Sequence, residues 1–150
     1  MAATWASLMH MGESGYMEAV DGIMKTTAQI CEGIRKIDGV RLMGQPTAMI
    51  AAFDSDRFNI YNISDILTHK GWSLNALQRP ASAHICVTFP MVGKAQQFLD
   101  DLQEAVNMVK NDPKAQEMAT GSTPLYGSTT ALPAGPVKDA LSRYIDVTLS

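Results

Sequence analysis

The amino-acid sequence predicts an α+β fold: a mostly antiparallel sheet of four strands, helices on one of its faces and a long helix at the N-terminus. The main observation is the order of hydrophobic patterns. A long helical pattern precedes two strands, a helix, two further strands and another helix. The chain has 150 residues, the length of one domain, and no internal repeat that would indicate a solenoid.

The first third of the chain is predicted to be helical. Residues 2–11 are apolar almost all round, which is typical of a helix that must be covered, and Gly12 is expected to end it. Residues 14–37 have an amphipathic pattern, with acidic residues near the start, basic residues in the last turn and Gly39 as the stop. The regular spacing leaves a short coiled-coil seam as an alternative. The apolar stripe consists of Tyr16, Val20, Ile23, Thr27, Ile30, Ile34 and Ile37.

Four short apolar runs are predicted to be strands, at residues 40–43, 47–53, 72–77 and 83–89. The second run is apolar on both faces, which favours a central strand that is covered on both sides. The fourth run alternates between two sets of side chains, which predicts that each set lies on its own face. One set is Ala83, Ile85, Val87 and Phe89, and the other is His84, Cys86 and Thr88.

Two further amphipathic helices are predicted, one between the strand pairs and one after them. The first runs to Lys70, with either Asn59 or Asn62 as its N-cap, and Gly71 ends it. The second covers residues 94–110. Their apolar stripes are Ile60, Ile63, Ile66 and Leu67 in the first helix, and Phe98, Leu102, Ala105, Val106 and Val109 in the second.

The C-terminal part is predicted to be an irregular loop followed by a helix. Residues 120–135 are rich in Gly, Ser, Thr and Pro, so they are expected to be either disordered or docked on another surface. Pro136 suits the first turn of a final helix that extends to about residue 148.

The composition argues against several classes of function. The formal net charge is −3, and no basic stripe indicates binding to nucleic acid. No apolar run approaches the roughly 20 residues that span a bilayer. The N-terminus also lacks the pattern of a signal peptide, so we expect a cytoplasmic protein without a transmembrane segment. The two cysteines, Cys31 and Cys86, are interpreted as buried thiols of an intracellular protein.

No convergent set of catalytic residues or metal ligands is apparent in the sequence. His84 and Cys86 are predicted to share a strand face, but two ligands do not make a metal site. His10 is interpreted as an interface histidine. Neither the Gly-x-Ser-x-Gly motif of hydrolases nor a Gly-rich phosphate loop occurs. An enzyme that works with its own residues alone is therefore disfavoured.

A set of motifs at matching spacing nevertheless runs along nearly the whole chain. Together these motifs resemble the C-terminal part of the sphingosine-1-phosphate lyase (sphinganine-1-phosphate aldolase) family, which belongs to the group II pyridoxal-phosphate decarboxylases. The motifs are Trp5-Ala6-x-Leu8-Met9-His10-x-Gly12-Glu13-x-Gly15-Tyr16, Gly44-x-Pro46, the block from Phe58 to Thr88 with Thr68-His69-Lys70-Gly71-Trp72 at its centre, Thr120-Gly121 and Leu125-Tyr126-Gly127.

The resemblance implies a domain assignment. Residues 1–12 would be the end of a large, cofactor-binding domain. Residues 13–150 would be the small C-terminal domain of a fold-type I pyridoxal-phosphate enzyme, with the irregular loop at 120–135. The chain would then be a truncated, split or fragmentary gene product. Its partner would be the large domain of the same enzyme or a homodimer mate.

The resemblance also implies the chemistry. Members of this family use pyridoxal phosphate to cleave phosphorylated sphingoid bases into a fatty aldehyde and phosphoethanolamine. Their cofactor lysine, the histidine before it and the aspartate that pairs with the pyridine nitrogen all lie upstream of the matching part. No catalytic, cofactor-binding or metal-binding residue is therefore assigned to this chain. Tyr126 and Gly127 are the candidates for a position near the active-site entrance.

The dipeptide His69-Lys70 is similar to the family's cofactor pair but is interpreted differently. A cofactor lysine must be partly desolvated and held on a rigid element. Lys70 closes a predicted helix, where a charged, solvent-facing lysine interacts favourably with the helix dipole. We therefore expect an ordinary charge at a helix end. Besides a lyase small domain, a non-catalytic remnant or a freestanding α+β interaction module remains as an alternative.

Overall fold

The computed structural model describes residues 2–111 and 142–143. In this part of the chain, the helices and strands follow one another in the predicted order. The elements are α1 (Ala2–Ile34), β1 (Arg41–Leu42), β2 (Ile50–Asp54), α2 (Ile60–His69), β3 (Leu74–Leu77), β4 (Ser82–Cys86), a short 3-10 helix (Phe89–Met91) and α3 (Ala95–Asn111).

The sheet has the strand order β1-β2-β4-β3, and every neighbouring pair is antiparallel. In the register of the two central strands, Ala51 is opposite Ile85 and Phe53 is opposite Ala83. Because side chains alternate along a strand, these four point to one face, and all four are buried there. The predicted α+β class and the antiparallel four-stranded sheet are confirmed.

The helices pack on this inner face of the sheet, and the core forms between the two layers. Phe98 of α3 is fully buried at the centre. Its ring makes edge contacts with Phe53, at a centroid distance of 6.5 Å, and with Trp72, at 5.2 Å. Burying a side chain of this size contributes about 1.5–3 kcal/mol. The predicted apolar stripes of the helices supply many of the other core residues, namely Ile30, Ile34, Ile37, Ile60, Ile63, Leu67, Leu102, Ala105, Val106 and Val109.

The outer face of the sheet is left open by the described residues. Ile50 on β2 is 46% exposed, and Leu77 on β3 is 37% exposed. The prediction that the second strand is covered on both sides is therefore wrong for this part of the chain, because the helices all pack on the inner face. Cys86 is half-buried on the outer face, so the prediction of two buried thiols holds for Cys31 alone.

The end of β4 also differs from the prediction. Ala83, Ile85 and Val87 are buried as expected, whereas Phe89 is 62% exposed. The strand ends at Cys86, and Pro90 lies inside the 3-10 helix that follows. Because the chain leaves the strand conformation before Phe89, its side chain no longer follows the alternation of β4 and does not lie on the inner face of the sheet.

Helix α1 contains a break at Gly12, the residue that the sequence predicts as a helix stop. Its backbone has φ 58° and ψ −177°, a conformation that essentially only glycine adopts without strain. No side chain is buried among residues 2–18, which we call the N-terminal arm, and the first buried residue is Ala19. The predicted apolar stripe is thus buried in the second half of α1, while Tyr16 and Val20 remain exposed.

Both ends of α2 follow local rules. Asn59 is the N-cap, because its Oδ1 accepts a hydrogen bond of 3.1 Å from the backbone N–H of Tyr61. Asn62 is buried within the helix, so the alternative cap is wrong. At the other end, Lys70 is the C-cap, as the sequence predicts.

The C-terminal predictions lie largely outside the described residues. This applies to the irregular loop 120–135 and to Tyr126 and Gly127 within it. Of the predicted final helix, only Ser142 and Arg143 are described, and they are helical.

Candidate functional site

Lys70 lies where α2, β3 and α3 meet. Its Nζ donates hydrogen bonds to Asp101 Oδ1 at 2.9 Å and to Glu104 Oε2 at 2.8 Å. The second carboxylate oxygen of Asp101 accepts a hydrogen bond of 2.8 Å from Trp72 Nε1. The Lys70 side chain is still 26% exposed, so the cluster keeps contact with water. We refer to Lys70, Trp72, Asp101 and Glu104 as the Lys70 cluster.

Lys70 and Asp101 hold each other in their charged forms. Hydrogen bonds to Glu104 and Asp101 raise the pKa of Lys70. Hydrogen bonds from Lys70 and Trp72 lower the pKa of Asp101. A lysine that reacts with the pyridoxal-phosphate carbonyl must be available as a neutral amine. Lys70 does not fit that role, which agrees with its interpretation as a charge at a helix end. It differs from that interpretation in one respect, because its ammonium group contacts two carboxylates and was expected to face solvent.

The acidic partners of Lys70 were not found from the sequence. Asp101 and Glu104 are three residues apart, which indicates only that they share one face of a helix. They lie 31 and 34 residues after Lys70, and no local pattern predicts a contact over that separation. The indole N–H of Trp72, next to a charged helix end, is the one signal that pointed to a nearby acceptor.

The predicted pairing of His84 and Cys86 on one strand face is found on the outer face of β4. His84 Nε2 lies 3.4 Å from Asn75 Nδ2 on the neighbouring strand. Within residues 2–111 and 142–143, no group of three or more His, Cys, Asp or Glu side chains could hold a metal ion. His10 lies exposed on the N-terminal arm.

Two surfaces of the described residues each carry several exposed apolar side chains. The first is the N-terminal arm together with the turn of α1 that follows it. The second is the outer face of the sheet together with the end of the loop that leads into β2. The exposed apolar residues are Trp5, Leu8, Met9, Tyr16, Met17 and Val20 on the first surface, and Met49, Ile50 and Leu77 on the second.

The amino-acid sequence aligns with those of characterised lyases over nearly its whole length. It is 43% identical over 147 residues to the sphingosine-1-phosphate lyase of Dictyostelium discoideum, and 40% identical over 147 residues to that of Arabidopsis thaliana. Each alignment covers 97% of this chain. The chain is homologous to one part of the sphingosine-1-phosphate lyases. It spans 27% of the length of each of these two lyases.

A solved structure from the same family has the same fold. The sphingosine-1-phosphate lyase of Burkholderia pseudomallei superposes with a TM-score of 0.68 at 38% identity, over 79% of this chain and 27% of that lyase. The glutamate decarboxylase of Lactobacillus brevis superposes with a TM-score of 0.64 over 72% of this chain and 27% of that enzyme, at 19% identity, and is similar in fold alone. No family model matches the chain.

The cofactor of a third structural relative is known. A mutant of a cystine C-S lyase, solved with glycine covalently linked to its pyridoxal-phosphate cofactor, superposes at 16% identity with a TM-score of 0.55 over 64% of this chain and 26% of that chain, and is similar in fold alone. None of the described helices combines the length and the hydropathy needed to cross a bilayer.

Proposed function

We propose that this chain is the small C-terminal domain of a pyridoxal-phosphate-dependent carbon–carbon lyase that cleaves phosphorylated sphingoid bases to a fatty aldehyde and phosphoethanolamine. The observation that carries the proposal is 43% identity along 97% of the chain to a lyase of which it spans 27%. The cofactor and its lysine belong to the large domain. The chain acts only together with that domain, which is part of the same enzyme or comes from a homodimer mate.

The proposed domain boundary lies near Gly12. Residues 1–12 are assigned to the end of the large domain and residues 13–150 to the small domain. Two observations support this: the backbone leaves the helical conformation at Gly12, and no side chain before Ala19 is buried. Loop 120–135 would lie against the large domain, with Tyr126 and Gly127 near the entrance to the active site.

The two exposed apolar surfaces are the proposed contacts with the large domain or the homodimer mate. Trp5 and Met9 on the N-terminal arm are 66% and 65% exposed, and Ile50 on the outer face is 46% exposed. Burial of apolar area contributes roughly 25 cal/mol per Å², so covering these side chains would stabilise the assembly. A freestanding interaction module is less well supported, because the similarity to the lyases extends along the whole domain. The proposal also includes a cytoplasmic location.

A chimeric enzyme tests the proposal. In the Dictyostelium lyase, the 147 residues that align with this chain are exchanged for it. We expect the chimera to bind pyridoxal phosphate and to release fatty aldehyde from sphingosine 1-phosphate, whereas the lyase without that segment does neither. A folded chimera with the cofactor absorbance of the parent enzyme but no aldehyde release would contradict the proposal.

A pair of matched variants tests the role of the outer face in the same assay. Ile50 on the outer face and Met108 on α3 are 46% and 44% exposed, so a charge at either position leaves the core intact. We expect Ile50→Glu to reduce aldehyde release at least about tenfold, which is the effect of losing roughly 1.4 kcal/mol of contact energy. Met108→Glu should leave the activity unchanged. Equal activities of the two variants would show that the outer face is not a contact.

A further inference from the structure

A cavity of about 380 Å³ opens between the start of β3, the end of β4 and the start of α3. It lies next to the Lys70 cluster, with which it shares Trp72, but neither Asp101 nor Glu104 lines it. The side chains that matter for its chemistry are Ser73, Asn75, Cys86, Thr88 and Lys94.

The charge of this cavity distinguishes it from its neighbours. Lys94 lines it, and no carboxylate does. Three other cavities in the described part of the chain each contain at least one acidic side chain. The cavity between α1 and α3 contains Glu32 and Asp100. The cavity beside Pro46 also contains Glu32, and the cavity near β1 contains Asp38 and Asp56.

Three donor side chains of the cavity, those of Lys94, Thr88 and Ser73, have no partners among the described residues. Lys94 forms no ion pair there, in contrast to Lys25, Lys70 and Lys110, which all contact carboxylates. The hydroxyl group of Thr88 does not cap the 3-10 helix that follows it. Ser73 likewise forms no side-chain hydrogen bond within residues 2–111. One ammonium group and two hydroxyl groups therefore line the same opening without acceptors.

We propose that this cavity binds a phosphate group, either free or as part of a small phosphomonoester. A phosphate group presents several acceptor oxygens and can use the ammonium group, both hydroxyl groups and the Asn75 amide together, whereas a carboxylate offers only two oxygens. Lysine is a common phosphate ligand, since its charge is compact and its stem flexible. The proposal goes beyond the proposed function, which assigns no ligand to residues of this chain.

Titration of the 150-residue chain followed by NMR tests the proposal. The probes are inorganic phosphate, glycerol 3-phosphate and acetate, at constant ionic strength so that general screening does not change. We expect saturable shifts of the amide signals of residues 71–75 and 86–94 with both phosphate probes, and at least about tenfold weaker binding of acetate. Tighter binding of glycerol 3-phosphate would identify an ester as the ligand, and tighter binding of inorganic phosphate would identify the free ion. Shifts that do not saturate, or that spread over the surface, would overturn the proposal.

Two variants and a matched control locate the site. Lys94→Gln is expected to weaken phosphate binding at least about tenfold, and Thr88→Val to weaken it less. The control is Lys36→Gln, since Lys36 is also exposed, lines another cavity and forms no ion pair within the described residues. All three positions are exposed, so the fold should persist. If Lys36→Gln and Lys94→Gln weakened phosphate binding equally, the effect would be one of general charge, and the proposed site would be contradicted.

A chemical readout is independent of the NMR signals. Cys86 lines the cavity, whereas Cys31 is buried and its burial raises the pKa of its thiol. Iodoacetamide should therefore alkylate Cys86 first. We expect saturating phosphate to slow this alkylation at least about threefold in the parent chain and not in Lys94→Gln. An unchanged rate in the parent chain would count against binding. These assays measure binding alone, so their failure is distinguishable from a failure of the aldehyde assay.

Discussion

Asp101 on α3 connects two other parts of the fold through polar contacts. One of its oxygens accepts from Lys70 at the end of α2, and the other from Trp72 just before β3. Trp72 in turn packs edge-on against Phe98 in the core. A single carboxylate on α3 thus fixes the end of one helix and the orientation of a core indole.

The pKa of Asp101 provides a test of this cluster. Replacing Lys70 with Met removes the ammonium group that does most to lower this pKa, so the pKa should rise toward its ordinary value of about 3.9. NMR titration of the Asp101 carboxyl carbon measures the change. Lys25→Met is the matched control, because Lys25 pairs with Asp21 on the exposed side of α1. An unchanged Asp101 titration in Lys70→Met would refute the assigned cause.

The lowered pKa of Asp101 also predicts how the stability of the fold depends on pH. Asp101 has a lower pKa in the folded than in the unfolded chain, so its contribution is fully present above about pH 4 and disappears as the pH falls through the folded-state pKa. The parent chain should therefore lose more stability than Lys70→Met on acidification below about pH 4. Thermal unfolding at a series of pH values checks this.

Two glycines with positive φ should respond differently to substitution. Gly39 has φ 104°, and a Cβ atom there would lie 2.6 Å from Phe58 Cε2. Gly39→Ala therefore introduces both backbone strain and a steric clash. We expect it to lower the free energy of unfolding by about 2–4 kcal/mol. Gly12 has no atom within 4 Å of such a Cβ, and the arm before it is not packed. An alanine at position 12 is strained in this conformation, but the unpacked arm can change direction to relieve the strain, so Gly12→Ala should change the stability of the core by less than about 0.5 kcal/mol. Urea unfolding distinguishes the two outcomes.

At the level of elements, the contact between α1 and α3 depends on a missing side chain. Gly33 lies in the last turn of α1, and a Cβ atom there would approach Leu99 Cγ to 2.8 Å. Glycine costs about 1 kcal/mol relative to alanine inside a helix. The close approach of α3 is a physical reason for glycine at this position.

A double-mutant cycle tests this reason. Gly33→Ala alone should destabilise the chain by about 1 kcal/mol, because the cost of overpacking exceeds the gain in helix propensity. In the background of Leu99→Ala the clash disappears, so the same substitution should stabilise by about 0.5–1 kcal/mol. Urea unfolding of the four proteins gives the coupling energy. Equal effects of Gly33→Ala in both backgrounds would exclude the proposed contact.

At the level of the whole molecule, the core and the exposed apolar surfaces are separate. The core lies between the inner face of the sheet and the helices, and it starts at Ala19 along the chain. The N-terminal arm contributes nothing to it. The fold of the described residues therefore does not depend on the arm, although the arm carries Trp5, Leu8 and Met9 in exposed positions.

Deleting residues 2–18 tests this separation. We expect cooperative thermal unfolding to persist, with a melting temperature within about 3 °C of the parent chain, because no buried side chain is lost. Self-association measured by sedimentation should decrease, since five large apolar side chains are removed from the surface. Loss of the cooperative transition would mean that the arm is part of the core.

Local patterns were enough to predict most of the fold. Asn59 caps α2, Gly12 interrupts α1, and the stripe from Phe98 to Val109 is buried, because each depends on residues within a few positions of one another. Phe89 was misassigned because the alternation of a strand does not indicate where pairing stops. The partners of Lys70 and the donors around Lys94 could not be predicted, since both sets come from elements that only the tertiary fold brings together.

The strand order has a further consequence for the protein when it is alone. β1 and β3 are the edge strands, and β1 has only two residues, one of which is Arg41. β3 is longer, reads Leu74-Asn75-Ala76-Leu77 without a charged residue, and pairs with no other strand on its outer side within the described residues. The C=O group of Leu77 already accepts a hydrogen bond of 2.7 Å from the Tyr61 hydroxyl. The other N–H and C=O groups on the outer side of β3 can pair with an added strand from a second chain, and natural edges usually block this with lysine or proline. We expect amyloid-like growth to begin at this edge.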